Sequence, residues 1–162
     1  MQNKILIFFI IIFNLFIFKV YSNEQITFDV SELEILDGGN KIIGKNRGNI
    51  TTDNGITIEA DKFEFDKSKN ILKAQGNINV KDQLNNYNFS SQNIFYFKNE
   101  EKIEIKGKSD ALIDRDYKFE IENVVILRNE MIISSDKGAT ILDIANLTRY
   151  EIGKFNYSLK DK

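Results

Sequence analysis

The 162-residue sequence contains no cysteine, no histidine and no proline. Without cysteine there is no disulfide, no thiolate nucleophile and no cysteine-ligated zinc, and the redox state of the compartment leaves no mark on the chain. Without histidine the chain lacks the commonest metal ligand and the side chain best suited to proton transfer near neutral pH. The missing proline accompanies a composition rich in Asn, Lys and Ile, and it removes one of the standard blocks against strand addition at a sheet edge. Basic charge is also short. Residues 1–22 hold two of the 22 Lys and Arg and none of the 24 acids, so the remainder carries 20 basic against 24 acidic side chains, a formal charge of −4. A surface of that sign does not suit phosphate backbones, and no nucleic-acid partner is expected.

The one long hydrophobic run is at the N-terminus. Lys4 precedes an apolar stretch from Ile5 to Phe18 that only Asn14 interrupts, and Val20-Tyr21-Ser22 offers a cleavage site before Asn23. This is the plan of a signal peptide over residues 1–22. The stretch is short for a membrane span, which needs about 20 apolar residues. The alternative is an uncleaved anchor, with Lys19 snorkelling and Val20 and Tyr21 extending the segment. Either way residues 23–162 are expected to be exported as a single domain.

From Phe28 onward apolar and polar residues alternate, which is strand periodicity with one face buried and one wet. Leu72, Ala74, Gly76, Ile78 and Val80 share one face, as do Ile103, Ile105, Gly107, Ser109, Ala111 and Ile113. The phase changes between Ala60 and Phe63, and again between Phe89 and Ile94, as a bulge or corner in mid-strand requires. Asp37-Gly38-Gly39-Asn40, Asp53-Asn54-Gly55, Asn85-Asn86 and Arg128-Asn129-Glu130 supply residues tolerant of positive φ for the turns. Over this pattern lies a repeat. Leu33, Phe63, Ile94, Val124 and Phe155 recur every 30 or 31 residues, each followed two places on by Ile35, Phe65, Tyr96, Ile126 and Tyr157. A fixed period of this size signals stacked supersecondary units. The body is therefore expected to be all-β, an open twisted antiparallel arrangement of stacked β-hairpin repeats of about 31 residues.

Residues that might carry chemistry form no complete set. Ser134 and Lys137 have the Ser-x-x-Lys spacing of a nucleophile motif, but that spacing needs a helix and the setting is a strand. Glu59/Asp61, Glu100/Glu101 and Asp114/Asp116 are carboxylate pairs with no calcium loop around them. No catalytic residue, metal or cofactor is expected. What remains is the apolar face. Ile58, Phe63, Phe65, Leu72, Ile78, Val80, Phe89, Ile94, Tyr96, Ile103, Ile105, Phe119, Ile121, Val124 and Ile126 are expected to line the space between two sheets, either as packed core or as a slot. The small residues Ala74, Gly76, Gly107 and Ala111 would leave room for such a slot.

The segment Ile58-Glu59-Ala60-Asp61-Lys62-Phe63-Glu64-Phe65-Asp66, followed by Ala74-Gln75-Gly76-Asn77-Ile78-Asn79-Val80, resembles the OstA-like family of lipopolysaccharide-transport proteins. The shared pattern is Ala-Asp-x-aromatic-x-aromatic-Asp, then Ala-x-Gly-Asn-aliphatic-x-aliphatic, and the likeness runs from about Phe28 to Tyr157. It implies an open β-jellyroll in the periplasm, associated with the outer membrane, that holds the lipid A acyl chains of lipopolysaccharide in its groove. It also implies partners, namely other OstA-like modules joined by edge-strand stacking, and it implies no catalytic residue. The last repeat unit stops just after Tyr157, which marks either a docking edge or a truncated C-terminus.

Overall fold

The computed structural model describes residues 26–160. The expected signal or anchor segment, residues 1–22, lies outside them. Twelve strands follow in order: β1 Ile26–Leu36, β2 Lys41–Thr52, β3 Ile56–Ala60, β4 Lys62–Asp66, β5 Ile71–Asp82, β6 Tyr87–Phe97, β7 Lys102–Ile113, β8 Tyr117–Leu127, β9 Ile132–Ser135, β10 Ala139–Asp143, β11 Thr148–Ile152 and β12 Phe155–Ser158. All neighbours pair antiparallel. One half of β2 pairs with β3 and the other with β4, and β8 pairs with β9 and β10 in the same way. Thus β3/β4, β9/β10 and β11/β12 are single strands broken in the middle. The expected two sheets are one hydrogen-bonded sheet, folded across all its strands into two half-sheets. Half-sheet I holds β3, β10, β11 and the adjoining halves of the long strands. Half-sheet II holds β4, β9, β12 and the other halves.

The fold line, or seam, is written in residues that accept unusual backbone. Asn46, Arg47, Gly76, Asn77, Gly107, Asn123 and Gly138 all have positive φ there, and the pairing register shifts between Gln75 and Ile78, Ser90 and Asn93, and Ile105 and Lys108. Two of these glycines admit no side chain: a Cβ on Gly76 would lie 2.6 Å from Asp61 Oδ2, and one on Gly138 would lie 2.5 Å from the Ile152 carbonyl oxygen. This corrects the expectation that Gly76 and Gly107 leave space inside. Gly107 is exposed, and both residues serve to bend the strand. Around Gly76 the seam is reinforced by Arg47, which forms ion pairs with Glu59 and Asp61 at 2.9 Å, while Asn77 Nδ2 donates to Asp61 Oδ2 at 2.7 Å.

The repeat of 30 or 31 residues is one bent strand out and one bent strand back. Its anchors all fall in half-sheet II, on every second strand, and its turns alternate between the two long rims. Lys98 to Glu101, for instance, closes half-sheet II, and Gln83 to Asn86 closes half-sheet I. The segment from Thr140 to Leu147 is strand followed by an Asn-containing turn.

Candidate functional site

Antiparallel register places side chains of directly opposed residues on one face, so the pairing defines what lines the interior. Across half-sheet I runs Phe28, Ile50, Ile58, Val80, Phe89, Ala111, Phe119, Ile141 and Tyr150. Across half-sheet II runs Ile35, Ile42, Phe65, Leu72, Tyr96, Ile103, Ile126, Ile133 and Tyr157. Each is an unbroken apolar track from one edge of the stack to the other. The tracks face each other: Phe28 meets Phe65 at 6.2 Å between ring centroids, and Phe119 meets Phe155 and Tyr157 at 6.3 and 5.7 Å.

All fifteen residues expected to line this space are buried, and they belong to a single apolar cluster. Ile58, Val80, Phe89, Ile94, Tyr96, Ile103 and Ile126 are wholly inaccessible; Phe63, Leu72, Ile105, Phe119 and Val124 nearly so; Phe65, Ile78 and Ile121 slightly less. Side chains fill the interior between the halves. A cleft of about 680 Å³ sits outside it near the seam, with Lys108, Asp110, Glu120, Lys137 and Glu151 among its charged lining.

Opposite the seam, where the two half-sheets meet rim to rim, the mouth is closed by a polar cluster that no sequence pattern announces. Arg128, in the β8–β9 turn of half-sheet II, donates from Nε to Asp82 Oδ2 of half-sheet I at 2.8 Å and from Nη2 to the Asn54 carbonyl oxygen at 3.0 Å. Its Nη1 donates to Glu101 Oε2. Asn54 Nδ2 donates in turn to Glu101 Oε1 at 2.9 Å and to the Tyr96 hydroxyl at 3.0 Å, and Tyr96 donates to Glu101 at 2.6 Å. Burial pushes the Asp82 carboxyl up, but the Arg128 and Asn85 hydrogen bonds outweigh it and hold the group below the usual carboxylate range. Burial also works against the charge on Arg128, which Asp82 overcomes, leaving the guanidinium above its ordinary value. Burial raises Tyr87, helped by nearby Asp82. The cluster is a clasp of fixed stoichiometry, with every carboxylate oxygen of Asp82 and Glu101 engaged. The available signal was residue type: Arg128 is one of four arginines in a chain whose cations are mostly lysine, and a planar fork is the group that bridges several acceptors at once.

The carboxylate pairs have structural partners. Glu59 and Asp61 bind Arg47, Glu100 binds Lys102 at 2.7 Å, and Asp114 accepts from Asn86 Nδ2 at 3.0 Å. Ser134 Oγ donates to the Val125 carbonyl oxygen at 3.3 Å from strand β9, in no helix that would bring Lys137 beside it.

This folded sheet is an open antiparallel β-jellyroll. Among solved structures it is similar to LptH of Pseudomonas aeruginosa, described as the LptA-homologous periplasmic component of the conserved lipopolysaccharide transport device. The TM-score is 0.58 at 12% identity, and the match covers 64% of this chain and 76% of that one. The likeness is one of fold. No protein-family model matches the chain, and no curated protein does.

Proposed function

We propose that this chain is a non-enzymatic conduit for lipopolysaccharide in the periplasm, with the two apolar tracks as its acyl-chain path. One observation carries the reading: the tracks reach both ends of the stack without a polar interruption, and each lies open at one of them, the half-sheet II track at β1, where Leu33 and Ile35 are exposed by 45% and 60%, and the half-sheet I track at β11, where Tyr150 is exposed by 47%, while Phe28 and Tyr157 at the opposite ends are half-buried. A core serving only to pack would be capped at its ends. Among the described residues the outer edges of β1, β11 and β12 have no strand beside them, so a second module adding by strand pairing would prolong both the sheet and the track. The fold shared with LptH supports the same reading. Acyl chains enter by displacing side-chain contacts as the half-sheets part, since the interior is filled when empty of ligand.

The test is photo-crosslinking with a lipid A analogue. Labelling at inward Phe65, Ile78 and Ile105 is expected; labelling confined to outward Lys73 and Asn77 contradicts the proposal. The tight central packing favours a second reading, an exported structural β-repeat module, for which native mass spectrometry of the purified protein would show no bound lipid and no inward position would label.

A further inference from the structure

Half-sheet I has a second apolar feature, outside the interior. Of the eight large apolar side chains exposed among the described residues, Leu84, Leu142, Ile144 and Leu147 lie on the rim of half-sheet I, and the two most exposed, Leu147 at 81% and Leu84 at 74%, are tips of its turns. These turns are fastened to one another: Gln83 N–H donates to the Gly55 carbonyl oxygen, Asp114 N–H to that of Asn86, and Ile144 N–H to that of Asp116. The apolar tips are therefore held on a continuous rigid edge.

Charge on the outer face of this half-sheet is sorted by row. Nearest the rim the register aligns Lys81, Asn88, Leu112, Lys118, Leu142 and Arg149, with three cations and no acid. Two residues further from the rim, about 7 Å away, it aligns Asn79, Ser90, Asp110, Glu120, Thr140 and Glu151, with three acids and no cation. Arg115 adds a cation at the rim between Asp114, which is bonded to Asn86, and Asp116. Arg149 reaches across the rows, to Glu151 at 3.8 Å between two well-exposed side chains.

We infer that this rim is a docking edge for an anionic lipid bilayer: Leu84, Ile144 and Leu147 enter the headgroup region while Lys81, Arg115, Lys118 and Arg149 meet the surface charge. Exposed apolar tips gain by leaving water, and the four cations Lys81, Arg115, Lys118 and Arg149 outnumber the rim-turn acids Asp53, Asp114 and Asp116, of which Asp114 is bonded to Asn86, while Asp110, Glu120 and Glu151 are set back one row; both features suit an anionic interface. The edge stands on half-sheet I alone and does not depend on what the interior holds.

Because the chain has no cysteine, a single Ala145→Cys substitution can carry an environment-sensitive dye at the rim of the full chain, with Asp136→Cys at the seam as reference. With vesicles of phosphatidylglycerol and phosphatidylcholine the rim dye is expected to shift to an apolar spectrum and the seam dye to remain aqueous. Pure phosphatidylcholine is expected to give no rim shift. Lys118→Glu with Arg149→Glu is expected to raise the half-maximal lipid concentration about tenfold or more, and Leu84→Ser with Leu147→Ser to abolish the shift. Lys106→Glu with Lys154→Glu makes the same change in net charge away from the rim and is expected to alter it by less than about twofold. No rim shift, equal shifts at rim and seam, or equal loss from both charge-reversed pairs would overturn the inference.

Discussion

The middle of the stack and its ends present the same inner face with opposite results. Phe65, Leu72, Tyr96, Ile103 and Ile126 in the middle of one track are buried, whereas Ile35 at its start is mostly open to water. At the other end Tyr157 is partly exposed and packs against the core. Residue type does not differ between them. What differs, among the described residues, is the number of flanking strands: a middle strand has two, and an end strand has one. Burial in this architecture is therefore a property of the neighbouring strand.

Substitutions can break the comparison in order of size. Phe89→Ala, at a wholly buried central position, is expected to cost about 3–5 kcal/mol in urea denaturation. Arg128→Ala strands Asp82 and is expected to cost about 3–5 kcal/mol. The pH dependence of that clasp has a definite sign. Asp82 is held below its unfolded value, so its contribution is full above about pH 4 and is lost as pH falls through the folded value. Asp82→Asn is expected to be less stable at neutral pH and to lose part of the acid-dependent slope of stability. Gly138→Ala, with φ at +95° and a carbonyl oxygen where its Cβ would be, is expected to cost about 1–3 kcal/mol. At the end of the stack, Ile35→Ser is expected to change stability by less than about 0.5 kcal/mol while weakening end-to-end association in analytical ultracentrifugation. A large stability loss there would mean that the ends are already finished within one chain.

The parts legible in the sequence were those governed by local period. The alternation of Leu72, Ala74, Ile78 and Val80 gave the inner face, the phase change before Phe63 gave the corner between β3 and β4, and the spacing of Phe63, Ile94 and Val124 gave the unit of stacking. All fifteen proposed lining residues went inside for the same reason. The clasp was not legible, because Asn54, Asp82, Glu101 and Arg128 are separated by as many as 74 residues and each sits where a turn residue is unremarkable. Gly76 and Gly107 keep the parity of the face in sequence, while a one-residue register shift at positive φ takes them out of it. The charge sorting on half-sheet I has the same origin: Lys118 and Glu120 are an ordinary alternating pair until the register sets them beside Leu142 and Thr140.

The alternation of rims has a consequence for how such a chain can change length. Each repeat leaves one rim and returns to it, so gaining or losing one repeat moves the free edge by two strands, about 10 Å, and restores the same rim, the same seam chemistry and the same strand direction at the new edge. Gaining a single strand would reverse that direction and exchange the rims for everything downstream. Length in this fold is thus graduated in steps of 30 or 31 residues, like the marks on a ruler, and a relative differing by one mark would still offer a neighbour an edge of the same polarity.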